Sequence, residues 1–332
     1  MGSNQDVMGE QLPLFEDRYM LLNGGLQYLE KLELDEAKKA FERYRDLYRA
    51  EDDINTKLEI TQFLIDGFLN APDTCPDEAV YLYGLWDSFE SYVESIGFEA
   101  EKVISKIKSS FFRKLFESVD RCNLTDVPFL SDNIPMGYVY MQAGRYDMAI
   151  KSLQACIPVT RDNAVIYGYL GDAYILRGEP DVARRCYLEA CVIDPAGMDW
   201  DHVKDRELVE LKNRLIETLD MDELSAVKWM PGYACVRGLF AMKNIRLREE
   251  IKGSVDEYIA LQKVYSKEPS PALEAGLFIR AIILCDNESI MKLVKGINFI
   301  DVRRQMKETN PSLFSEYLRY VEGKKHPDSP KR

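Results

Sequence analysis

Hydrophobic residues along this chain recur at steps of three and four rather than two. Val80, Tyr83, Trp86, Phe89, Val93 and Ile96 keep that step, and Ile104, Ile107, Phe111 and Leu115 repeat it. At 3.6 residues per turn such positions share one face, so the pattern predicts amphipathic helices, each with a buried stripe. Proline, glycine and asparagine interrupt the pattern at residues 71–76 (APDTCP), 123–133, 230–232 (MPG), 268–271 (EPSP) and 310–312 (NPS), which are the predicted breaks. No stretch alternates apolar and polar between hairpin turns, so no strand is predicted. The expected fold class is all-α.

Within this pattern two stretches echo each other at an offset of 34: MGYVYMQAGRYDMAIKSLQAC from 136 and LGDAYILRGEPDVARRCYLEA from 170. Gly137 aligns with Gly171, Tyr140 with Tyr174, Gly144 with Gly178, Asp147 with Asp181 and Ala149 with Ala183. Each copy reads as a helix, a glycine turn and a second helix. Gly137 and Gly171 let the paired helices approach, Ala149 and Ala183 face them, and Tyr140, Tyr174, Leu153 and Tyr187 fill the space beside the contact. Pro158 and Pro195 mark where each second helix ends. A weaker copy begins at Gly25, with Tyr28, Ala37 and Phe41 in place and Leu32 where the turn glycine belongs. It lies 112 residues before Gly137, not a multiple of 34, so divergent helices must separate the copies.

The succession Leu170, Gly171, Tyr174, Gly178, Ala183, Tyr187, Ala190, Pro195 resembles the tetratricopeptide repeat, whose period is 34 residues. The resemblance implies a right-handed superhelix, a solenoid of helical hairpins with divergent helices between and after the repeats, because each hairpin buries its apolar faces only against its neighbours. The expected organisation is an extended segment over 1–16, a helical region over 17–121 with one divergent hairpin at about 19–50, two clear hairpins over 130–196, a helical region over 197–322 and a flexible tail over 323–332.

In that family the first helix of each hairpin lines a concave groove that takes peptides or partner helices. The corresponding positions are Tyr138, Met141 and Gln142 in one hairpin, Tyr169, Asp172, Ile175 and Leu176 in the next, and Asn23, Leu26 and Glu30 in the N-terminal copy. The Lys, Asn and Arg with which some members grip a C-terminal carboxylate are replaced here by Ile134, Pro135, Tyr138, Gly168, Tyr169 and Asp172. The expected lining is therefore aromatic and aliphatic, suited to an amphipathic helix or an extended apolar peptide. A groove this apolar invites an alternative: filling by the protein's own chain or by a second subunit in a homodimer.

Charge narrows the partners. With 43 Lys+Arg against 56 Asp+Glu the net charge is −13, which disfavours direct nucleic-acid and anionic-membrane contacts. Nine acids against four basic residues between Asp199 and Glu223 form an acidic stretch suited to a basic segment. The first residues lack a basic start followed by an apolar run, and the most apolar stretch, 272–285, contains Glu274 and Arg280 and is too short to span a bilayer, so a cytoplasmic protein is expected. Seven cysteines without a C-x-x-C pair are expected as reduced thiols.

Chemistry has few footholds. Phosphate-binding glycine loops and a G-x-S-x-G nucleophile motif are absent. Of the two histidines, His326 lies in the tail, and His202 has the acidic neighbours Asp199, Asp201 and Asp205. Those acids read more simply as a helix start, with Asp199 or Asp201 as the N-cap. Neither cofactor nor metal is expected. One motif stands apart: Gln11, Leu12, Leu14 and Phe15 are similar to the Q-L-x-L-F pentapeptide with which bacterial replication and repair proteins dock on the sliding clamp. The same residues read alternatively as a cap on the first helix. The expected function is a non-catalytic protein-interaction scaffold, with clamp docking and self-association as the alternatives.

Overall fold

The computed structural model describes residues 6–48, 52–98, 100–131, 134–160, 162–240, 248–287 and 297–325, with the side chains of 6–17, 52, 248–251 and 324–325 outside that description. The chain divides into two compact units, Met1–Ser152 and Leu153–Arg332, the division falling inside one helix. The fold is all-α, an array of helices packed as consecutive neighbours.

In the first unit, helices α1 (Asp6–Glu30), α2 (Leu34–Tyr48), α3 (Asp52–Leu69), α4 (Asp77–Ser95) and α5 (Glu101–Arg121) each pack on the next, and α5 also returns to α1. Of the predicted stripe of α4, Trp86, Phe89 and Val93 are buried, whereas Val80 and Tyr83 are half-buried and Ala79, Leu82 and Leu85 complete the buried face. Trp86 lies 5.1 Å from Phe89 and 5.2 Å from Phe111 of α5, ring centre to ring centre. Gly25 faces Phe41 so closely that a Cβ would lie 2.5 Å from its ring. This is the close approach that the N-terminal copy requires. Leu32 takes the turn with φ +61°, the left-handed region a glycine would enter more readily.

Three differences from expectation stand out in this unit. Residues 6–16, expected to be extended, belong to α1. A short antiparallel ribbon, β1 (Phe129–Ser131) with β2 (Ile134–Pro135), stands where no strand was expected, because segments of three and two residues are too short to show alternation. Cys75 and Cys122 form a disulfide, contrary to the expectation of seven reduced thiols; it joins the loop before α4 to the end of α5. Chain neighbours alone could not reveal it, since the two cysteines meet only once α4 and α5 pack. A further tight glycine, Gly67 of α3, has a would-be Cβ 2.5 Å from Leu85 of α4 and marks a divergent hairpin without the repeat signature. Helix α6 (Met136–Gln142) closes the unit, and α7 (Tyr146–Cys156) follows a turn in which Gly144 adopts φ +74°.

In the second unit, α8 (Ala164–Arg177) and α9 (Pro180–Ile193) form a tightly packed hairpin, followed by a 3-10 turn at Pro195–Gly197. Then come α10 (Arg206–Leu219), α11 (Glu223–Val236), α12 (Arg248–Lys267), α13 (Pro271–Cys285), α14 (Phe299–Thr309) and α15 (Pro311–Lys325). The breaks at 268–271 and 310–312 fall between helices as expected. The break expected at 230–232 does not exist: α11 runs through Pro231. Burial explains its survival, because Trp229, Met230, Pro231, Gly232 and Tyr233 are all enclosed, and Leu313 of α15 comes within 3.0 Å of a Cβ placed on Gly232. Tertiary packing offsets the hydrogen bond that proline cannot donate. Residues 323–325, expected in the tail, are the last turn of α15; residues 326–332 lie outside the described residues.

Candidate functional site

The second hairpin is held by its own local signals. The Asn163 side chain accepts from Val165 N at 3.0 Å and caps α8, while Gly178 ends it with φ +88°. Between these ends Gly171 meets Tyr187 of α9, whose ring carbons would lie 2.7 and 2.8 Å from an added Cβ. The separation of sixteen residues is the same as in Gly25–Phe41, so both hairpins use one packing rule.

That close approach brings the Tyr187 hydroxyl to Asp172, to which it donates a hydrogen bond. Lys204 N donates to the same carboxylate oxygen at 2.8 Å. Asp172 is only 1% exposed, and burial raises its pKa to about 6 even though both hydrogen bonds favour the anion. Burial, followed by the charge of Asp172, also pushes the Tyr187 phenol up. A second polar link lies alongside: the Tyr169 hydroxyl donates to Asp199 Oδ2 at 2.9 Å, and His202 Nδ1 sits 2.9 Å from Asp199 Oδ1. Met198 is buried near Gly168, where a Cβ would be 3.7 Å from its terminal methyl. Segment 198–204 therefore lies across α8, fastened at Gly168, Tyr169 and Asp172.

The acids near His202 divide their work in a way the sequence reading misassigned. Asp205, not Asp199 or Asp201, is the N-cap of α10, accepting from Glu207 N at 3.0 Å, and Arg184 of α9 donates to it at 2.8 Å. Among the described residues no group of three or more His, Cys, Asp or Glu side chains could hold a metal ion.

The groove candidates separate by burial. Asp172 is interior. Tyr169 and Ile175 are half-buried, and Leu176 is 38% exposed. On α6 of the first unit, Tyr138 is 6% exposed and Met141 2%, so both are core side chains; Tyr138 packs edge-on to Phe112 at 6.0 Å and Tyr83 at 6.3 Å. Gln142 is half-buried, and its Nε2 has no hydrogen-bond partner. On α1, Asn23 is exposed, Glu30 accepts from Lys106 of α5 at 2.9 Å, and Leu26 lines a pocket of about 280 Å³ with Ile96, Phe98 and Val103. The expected lining is thus largely in contact with the chain itself: α5 against α1, and segment 198–204 against α8. Sequence periodicity missed this, because a groove position and a covered groove position carry the same apolar signature. The one local hint was an aspartate in the otherwise apolar run YLGDAYIL. The clamp-like residues Gln11, Leu12, Leu14 and Phe15 have helical backbone, and their side chains lie outside the described residues.

Residues 136–163, comprising α6, α7 and the connection to α8, match the family model for the tetratricopeptide repeat. The hairpin read from the sequence as the first clear copy is therefore a repeat of that family. No curated protein and no solved structure matches the chain.

Proposed function

We propose that the chain is a non-catalytic scaffold that docks a peptide or helix of a partner protein on the part of α8 left open beside segment 198–204. The carrying observation is the tetratricopeptide match at 136–163, since repeats of this family generally mediate protein–protein interaction. The contact surface in this reading is Leu176 and Ile175, with Tyr169 at its edge. Asp172 supports that surface from inside. The net charge of −13 selects against acidic partners and against direct nucleic-acid contact. The reading places the protein in the cytoplasm, without membrane attachment; among the described residues no helix is long and apolar enough to cross a membrane.

The test is affinity capture by the unaltered protein and by Leu176→Glu, with helical content and melting temperature as controls. A partner captured only by the unaltered protein supports the reading, and equal capture by both removes it. A second reading, a groove filled by the protein's own chain, is favoured by the coverage of α1 by α5 and of α8 by segment 198–204. Light scattering on the eluted protein gives a monomer mass if it holds, and a dimer mass points instead to filling by a second subunit. Clamp docking through Gln11–Phe15 has its own arm: Leu14→Ala with Phe15→Ala abolishes binding to a purified sliding clamp, and absence of binding by the unaltered protein excludes it.

A further inference from the structure

A pocket of about 200 Å³ opens in the second unit between the end of α9, α11, α12 and the first turns of α13. At ~30 Å³ per water that is room for a small organic molecule rather than a single solvent molecule. The sequence makes the space: Gly276 leaves the α13 wall bare, and a Cβ there would already lie 3.3 Å from Leu261 Cδ2. Ile193, Pro231, Leu261, Leu273 and Ile279 supply apolar walls.

Two cations break this apolar lining. Arg280 has a side chain 20% exposed and donates to Val192 O at 2.8 Å and Gly276 O at 3.3 Å, while its Nε is buried without a hydrogen-bond partner. The carboxylate of Glu257 is 3.9 Å away, beyond hydrogen-bond reach, and its side chain is 61% exposed. Burial lowers the Arg280 pKa, the sign of a cation whose lost hydration is incompletely replaced. Lys228 of α11, half-buried, forms no ion pair among the described residues. Asp194 borders the pocket, but its Oδ1 is engaged by Ala196 N at 3.0 Å. The first turn of α13, at Ala272 and Leu273, adds the positive end of a helix dipole.

We propose that this pocket binds a small apolar carboxylate, its carboxyl group between Arg280 and Lys228 and a branched aliphatic or aromatic body against Ile193, Leu261 and Ile279. An anion there completes the guanidinium's hydrogen bonding in a poorly hydrated setting, where charge-assisted bonds are strongest. The site lies entirely within the second unit and does not depend on the partner-binding reading.

Calorimetry or ligand-observed NMR on the full chain tests it, with isovalerate, hexanoate and phenylacetate set against their amides. The expected result is a Kd on the order of 0.1–1 mM for at least one acid, with amides about tenfold weaker or more. Ala272→Trp, at an exposed position on the rim, abolishes binding, and Lys228→Gln weakens it about tenfold, both with an unchanged melting temperature. Equal binding of acid and amide, binding unaffected by Ala272→Trp, or no acid binding at about 10 mM overturns the proposal. The acid–amide comparison needs no variant, so the result stands even if a substitution perturbs folding.

Discussion

A carboxylate that is 1% exposed on an otherwise apolar helix has a defined thermodynamic signature. Asp172 has its pKa raised to about 6 by burial, against about 3.9 in an unfolded chain. Between those values the folded state binds more protons than the unfolded one. Its contribution to stability is therefore largest at low pH and is lost as pH rises from about 4 to about 6. Asp172→Asn keeps an oxygen to accept from Tyr187 and Lys204 but cannot titrate. Urea unfolding at several pH values should show the variant gaining on the unaltered protein by up to about 3 kcal/mol between pH 4 and 7; a constant difference contradicts the assignment. Its neighbour gives a steric counterpart. Gly171→Ala drives a methyl into the Tyr187 ring at 2.7 Å and should cost about 1–3 kcal/mol in the same experiment. The two residues also show how legibility divides. Gly171–Tyr187 was readable because the spacing of sixteen recurs at Gly25–Phe41. The burial of Asp172 was not, because segment 198–204 covers it from outside the repeat.

At the scale of elements, helix ends were legible at the turn glycines, Gly178 and Gly144, which end α8 and α6 with positive φ. The side-chain caps, Asn163 of α8 and Ser270 of α13, emerge only from the structure. Gly178→Ala places a side chain in the left-handed region with no other atom within 4 Å, so its cost of about 1 kcal/mol is purely backbone strain. A melting-temperature comparison checks it. Ends decided by packing were not legible. Pro231 reads as a break but lies inside α11, since the helix is enclosed around it. The Cys75–Cys122 disulfide is a further element-scale feature, closing a separation of 47 residues across α4 and α5. Loop-closure entropy assigns it about 4 kcal/mol. Denaturant unfolding with and without reductant should differ by that order, and Cys75→Ser with Cys122→Ser should remove the difference. The other five cysteines form no disulfide and contribute none of it: Cys156, Cys191, Cys235 and Cys285 are buried, Cys186 is half-buried, and burial raises the Cys191 pKa.

For the whole molecule, the all-α array follows from the three-and-four step of apolar residues, and residues 136–163 carry a repeat signature strong enough to match a family. Function is less legible for a physical reason. The same apolar residues serve to bind a partner or to bind the chain's own α5 and 198–204, and periodicity alone does not distinguish the two. Exposure does, and among the apolar groove candidates it leaves Leu176 of α8, 38% exposed, at the surface. The most direct measurement of the scaffold account is therefore quantitative capture by the unaltered protein and by Leu176→Glu, at equal helical content. The account predicts a partner whose recovery falls about tenfold or more with the glutamate, the order expected when a charge enters an apolar contact. Recovery that is the same for both proteins would contradict it.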